Sequence, residues 1–153
     1  MKRLELKVPP VAQFLVAAGL MWLLTFFAPG ATVRFPGQLL AASLVLLVAG
    51  LVGMAGVRAF ARAQTTVNPL RPEAASQLVT GGIYRHTRNP MYLALLLALL
   101  AWGLWLGHAF AWLGVPVFAL AMNRLQIRPE ERALEALFGD EFRTYARRVR
   151  RWF

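Results

Sequence analysis

Two runs of this chain, Val11–Ala28 and Gln38–Val57, pass 18 and 20 residues without a single charged side chain. A helix needs about 20 mostly apolar residues to cross the hydrocarbon core of a bilayer, and these runs are that long. In lipid the backbone must satisfy its own hydrogen bonds, which favours helices over open strands. Two more uncharged runs, Met91–Leu106 and Ala109–Met122, are shorter and are separated only by Gly107-His108. They read as a tight helical hairpin with tilted or partly interfacial legs. The expected fold is therefore all-α and integral to the membrane, with four transmembrane helices near residues 11–28, 38–57, 91–106 and 109–122. At 58% hydrophobic residues and a mean hydropathy of +0.51, the chain is too apolar for an ordinary soluble domain. Its 153 residues suit one domain.

The basic residues are distributed as such a topology requires. With the N-terminus, Arg58–Pro90 and Asn123–Phe153 on one face, sixteen of the seventeen Lys and Arg share it, and Arg34 stands alone opposite. The positive-inside rule makes that face cytoplasmic and places both termini there. Contact with the bilayer explains the net charge of +10, so no nucleic-acid partner is needed. Lys2, Arg3 and Lys7 resemble the start of a signal peptide, but no small-x-small cleavage site follows and more apolar runs do, so the first helix is read as retained.

Several chemistries are missing. Without cysteine there is no disulfide, thiolate metal site or cysteine nucleophile, and two histidines are too few for a zinc site. His86 reads as interfacial or solvated, and His108 as part of the far-side turn. There is no G-x-G-x-x-G after a strand, Walker loop, G-x-S-x-G or H-E-x-x-H. No ionisable residue lies mid-membrane, which weighs against a coupled transporter.

Pro29-Gly30 stops the first helix. The second carries Gly50, Gly53 and Gly56 at three-residue spacing, a face that permits close helix packing and would allow a homodimer. It can continue as an amphipathic turn through Phe60 and Arg62. Residues 58–90 form the main loop, broken at Thr65–Pro69, Arg71–Glu73 and Thr80–Gly82. Asn68 and Arg71, each before proline, favour extended backbone. A loop of this length in so small a protein suggests a function. After the hairpin, Pro129 suits a first helical turn, and Glu130 and Glu131 suit its positive dipole end. Leu134, Leu137, Phe138, Phe142, Tyr145 and Val149 then recur at helical spacing, predicting an amphipathic helix over 129–150 against the membrane surface or capping the bundle, bent near Gly139-Asp140.

Two polar segments flank the hairpin. One runs from Gly82 through Tyr84, Arg85, Arg88, Asn89 and Pro90 to Tyr92; the other runs from Arg124 to Glu131. If the hairpin crosses and returns, they meet at one interface. Tyr and Arg suit headgroup level, and Asn89-Pro90 suits a helix cap. Adjacent carboxylates on a helix point about 100° apart, so Glu130 and Glu131 cannot form one clamp. One can face inward toward a cation while the other pairs with an arginine.

Together these residues resemble the integral-membrane methyltransferases of the isoprenylcysteine carboxyl methyltransferase and phospholipid methyltransferase superfamily. The carrying segments are Leu78–Arg85, Arg88–Tyr92, Glu130-Glu131, Leu134, Phe138-Gly139, Tyr145 and Val149-x-Arg151-Trp152, over roughly Thr65 to the C-terminus. The usual motif has His at Asn89 and Gly at Ala94. The resemblance implies that S-adenosylmethionine sits in a cytoplasm-facing pocket that includes the loop. Its walls would be Gln77, Leu78, Val79, Tyr84, Asn89, Pro90, Met91 and Tyr92. Glu130 would take the amino group; on charge complementarity an arginine such as Arg88 suits the carboxylate of that zwitterion, and Glu131 suits a structural pairing with the loop arginines. In the carboxyl methyltransferase branch, an arginine four residues before the first glutamate is the substrate-carboxylate candidate. Here that position is Gln126, flanked by Arg124 and Arg128, and these three are the substrate-side candidates. The implied reaction is methyl transfer to a lipophilic acceptor from the bilayer: a phospholipid amine, a prenylated carboxylate, or a small lipophilic thiol or amine. No dedicated general base is evident; His86 or a substrate-bound water is the nearest guess. The alternative is a non-enzymatic four-helix assembly or channel subunit.

Overall fold

The computed structural model describes residues 5–63 and 75–153. The breaks expected at Thr65–Pro69 and Arg71–Glu73 lie outside the described residues, as do Lys2 and Arg3. Among the described residues there are α-helices α1 (Pro10–Phe27), α2 (Gln38–Arg62), α3 (Pro90–Leu106), α4 (Gly114–Met122) and α5 (Arg128–Arg148), with no strand. One isolated bridge joins Thr32 to His108.

Three helical stretches are long and apolar enough to cross a membrane: Pro10–Phe27, Gln38–Arg62 and Ala109–Arg148. The helix α3, expected as a fourth span, is apolar throughout but has 17 residues. At about 1.5 Å per residue it still covers roughly 25 Å. Large hydrophobics such as Leu15, Leu20, Leu44, Leu47 and Leu51 are more than half exposed on α1 and α2. An aqueous protein would bury such surface, whereas a bilayer covers it. This is an integral, multi-pass architecture.

The core forms where α1, α3 and the last long helix converge. Met21, Leu99, Phe118, Met122 and Ile127 are sealed there, with Phe14 edge-on to Phe118. The partner of α2 is α3, and its glycines explain the close approach. A Cβ at Gly53 would lie 3.3 Å from Ala94 Cβ, and one at Gly56 would lie 3.1 Å from Met91 Cγ. Gly50 faces open space.

At the far end, Gly107 turns the hairpin at φ 57° and its carbonyl accepts from Val33 N at 2.7 Å. A His108 ring nitrogen lies 2.8 Å from the Ala28 carbonyl, and Gln38 Nε2 donates to the Leu104 carbonyl. This polar knot ties three connections together inside an apolar bundle.

The structure changes two sequence expectations and bears out a third. Residues 109–113 form a 3-10 turn, so the α-helical part of the fourth leg starts at Gly114. The C-terminal helix does not begin afresh near Pro129, because α4 continues through a π-helical turn, Asn123–Ile127, into α5. Pro129 has no N–H for the Leu125 carbonyl, and the wide turn relieves its ring. The freed carbonyl accepts from Leu6 N at 3.0 Å instead. Glu130 and Glu131 therefore have no free helix end beneath them, and the dipole reading falls. Finally, α5 bends at Gly139, as expected, with φ 50° and ψ −119°, so its two halves point in different directions.

Candidate functional site

Asn89 stands at the start of α3, but its side chain does not cap the helix. Its Nδ2 donates 3.0 Å to the Arg151 carbonyl, and Thr87 Oγ1 donates to the same carbonyl at 3.0 Å. Arg88 N donates to the Arg150 carbonyl at 3.0 Å. The cap expectation fails because the C-terminal tail, distant in sequence, competes for the amide. The hairpin's entry segment is thereby tied to the end of the chain.

Glu131 sits between these two strings of residues. Arg88 Nη2 approaches it at 3.2 Å, and Arg151 donates from Nε at 2.9 and 3.1 Å and from Nη2 at 2.6 Å. Glu130 points elsewhere, as helix geometry requires, and among the described residues accepts one hydrogen bond, from Tyr92 Oη at 2.9 Å. Burial raises its carboxyl to about 7; the Tyr92 hydrogen bond opposes the rise and the neighbouring Glu131 charge adds to it. Tyr84 is buried, with its ring edge-on to Phe60 at 5.4 Å. Burial, then the Glu130 charge, push its phenol well up and keep it protonated. Its carbonyl accepts from Tyr145 Oη at 2.8 Å, which fixes the second half of α5 over the loop.

These elements enclose a narrow cavity with about 70 Å³ of free space. Gln77, Leu78, Val79, Tyr84, Arg88, Asn89, Met91, Tyr92 and Glu130 all line it, although they come from both sides of the hairpin. Pro90 does not; it is sealed in the core at the foot of α3. Glu131 lines the cavity edge. The sequence reading missed Phe60, Ala75 and Ile127 as lining residues and gave Leu134, Phe142 and Tyr145 no place in the pocket. The last three recur on the apolar stripe of α5, a signal that marks a buried face without saying what it faces.

The substrate-side candidates separate. Arg124 and Arg128 are exposed and outside the cavity. Gln126 is fully buried on the π-helical turn, and neither amide atom has a hydrogen-bond partner among the described residues. His86 is exposed and also outside the cavity. No group of three or more potential metal ligands occurs among the described residues.

The sequence model of the phospholipid methyltransferase family matches residues 37–141, about two-thirds of the chain. The match includes all of α2, which lies before the stretch from Thr65 that carries the resemblance, and stops before Tyr145 and Arg151. An uncharacterized protein of Haemophilus influenzae is 61% identical over 62 residues, covering 40% of this chain and 98% of that protein. No solved structure matches.

Proposed function

The chain belongs to the phospholipid methyltransferase family, and from that premise we propose that it catalyses S-adenosylmethionine-dependent methyl transfer to a lipophilic acceptor at the membrane interface. The observation that carries this reading is the Glu130 carboxylate, which faces an aromatic-walled cavity with Tyr92 as its one hydrogen-bond donor among the described residues. A carboxylate held this way has lone pairs to spare for an ammonium group. Arg88 Nε is buried beside the same cavity without a partner among the described residues and can receive a carboxylate. The two complement an amino-acid zwitterion, and the faces of Tyr84 and Tyr92 suit a cation. The residues present therefore fit S-adenosylmethionine, which when bound supplies an electrophilic methyl group on a sulfonium.

The protein's contribution is placement and exclusion of water. Glu130 and Arg88 orient one end of the cofactor, while Leu78, Val79 and Met91 provide apolar walls for the other. Glu131 holds Arg88 and Arg151 and so keeps the loop and tail closed over the cavity. The cavity lies where α3 and the last long helix leave the apolar bundle, within reach of an acceptor in the bilayer.

Calorimetry on detergent-purified protein with S-adenosylhomocysteine tests the reading. Saturable binding is expected, and Glu130→Gln should abolish it while leaving the melting curve intact. No heat at millimolar ligand would sink the proposal and leave the assembly-subunit alternative standing.

A further inference from the structure

On the other side of the Arg88–Glu131 pair lies a second concavity. The bend at Gly139 sets the two halves of α5 at an angle, so Arg143 reaches both Asp140, at 2.9 Å, and Glu135, at 3.4 Å. Between the halves runs an open groove of about 500 Å³, bordered by Arg88, Arg128, Arg132, Arg143, Arg147 and Arg151. Glu131 and Glu135 line it as well, and Glu5 and Asp140 contact Arg132 and Arg143, so among the described residues these six arginines meet four carboxylates, a formal excess of two positive charges. The glutamates are already engaged, Glu131 by Arg88 and Arg151 and Glu135 by Arg143. Arg132 pairs with Glu5. Arg128 and Arg147 have no carboxylate partner among the described residues.

Depth narrows the choice of ligand. Arg128 stands six residues beyond Met122, the last residue of α4. That is about 9 Å along a helix axis. The headgroup zone occupies roughly 5–8 Å outside each face of the hydrocarbon core. A long arginine side chain at that height reaches lipid phosphates, and guanidinium groups bind phosphate through two parallel hydrogen bonds.

We propose that the groove between the two halves of α5 is a binding site for the phosphate of an anionic membrane lipid, separate from the cofactor cavity. The two sites share Arg88, Glu131 and Phe142 as a common wall. A lipid held in the groove thus braces the back of the cavity without entering it.

The test uses the full-length protein in uncharged detergent, followed by its melting midpoint. It is titrated separately with dihexanoyl phosphatidylglycerol, dihexanoylglycerol and inorganic phosphate. Phosphatidylglycerol should raise the midpoint saturably, and the double variant Arg128→Gln/Arg147→Gln should need about tenfold more lipid for the same shift. S-adenosylhomocysteine binding, measured on the same samples, should be unchanged. Three results would each overturn the proposal: an equal shift with dihexanoylglycerol, an equal shift with inorganic phosphate, or a double variant that titrates like the native protein. If the double variant does not fold, salt provides the check on the native chain. Exposed arginines are screened by added salt, so the lipid affinity must fall as salt rises, and a salt-independent affinity refutes the site.

Discussion

Glu131 receives the Arg151 guanidinium through Nε at 2.9 Å and Nη2 at 2.6 Å, joining the start of α5 to a tail 20 residues further on. The carbonyl of Arg151 is held as well, by Thr87 and Asn89. Glu131→Gln should release the tail from the loop and cost about 1–2 kcal/mol, since Glu131 is 16% exposed and Arg151 38%. Arg143→Ala is the control. Its partner Asp140 is 94% exposed, so thermal unfolding should barely change. Equal losses in the two variants would show that the Glu131 cluster adds nothing beyond a surface ion pair.

The Glu130 carboxyl, raised by burial from its ordinary 4.5 to about 7, sets opposite pH trends for ligand and fold. Below about 7 it carries a proton and cannot pair with an ammonium, so affinity for S-adenosylhomocysteine should fall about tenfold per unit on the acid side. In the ligand-free protein the raised value stabilises the fold fully below 4.5, and that contribution is lost as pH rises through about 7. Calorimetry and melting curves at matched pH should therefore diverge. Tyr92→Phe removes the donor that opposes the rise, so its affinity profile should move to higher pH. A flat profile would remove Glu130 from the ligand's charged group.

Gly56 is where α2 meets the foot of α3. A side chain there would press on Met91 Cγ and on Pro90 Cγ, 3.1 and 3.3 Å from the first added carbon. Gly56→Leu should cost about 1–3 kcal/mol by overpacking. It should also weaken cofactor binding, because Met91 lines the cavity. Gly50→Leu adds its side chain where nothing lies within 4 Å and should be tolerated. Paired melting and binding measurements separate the two positions. Similar losses at both would show that helix propensity, not contact with α3, explains these glycines.

Orientation can be read directly, because the chain has no cysteine to interfere with labelling. The arginine asymmetry predicts that Arg34→Cys reacts with an impermeant maleimide from outside the cell. Arg62→Cys and Arg150→Cys should react only after the membrane is opened. Labelling of Arg34→Cys and Arg150→Cys from the same side would reverse the assignment of the termini.

The helical runs were legible because length without charge is a local property. So was the bend at Gly139, where φ 50° suits glycine. What escaped the sequence depends on partners far along the chain. Asn89 looks like a cap until the Arg151 carbonyl is placed beside it. Pro129 looks like a helix start until Leu6 takes the carbonyl it leaves free. The cavity was legible on its polar side, where Tyr84, Tyr92 and Glu130 stand out in apolar surroundings. Its apolar wall was not, because Leu134, Phe142 and Tyr145 have the periodicity of any packed helix. Ala94 makes a contact that one helix alone cannot reveal: the facing Gly53 leaves room for its methyl group, which would lie 3.3 Å from a Cβ at Gly53.

Gln126 is fully buried with both amide atoms unpaired among the described residues. An unpaired buried polar group costs about 1–3 kcal/mol. Gln126→Met keeps the volume and removes that cost, so the melting temperature should rise. Cofactor affinity should hold, since Gln126 does not line the cavity. Gln126 nevertheless sits on the π-helical turn one helical turn before Glu130, and such turns recur at functional sites. A stabilised Gln126→Met that binds S-adenosylhomocysteine normally but methylates its acceptor more slowly would place the amide on the acceptor side of the reaction. Unchanged turnover would make Gln126 a purely structural residue, and a lowered melting temperature would show that its amide is satisfied in the membrane.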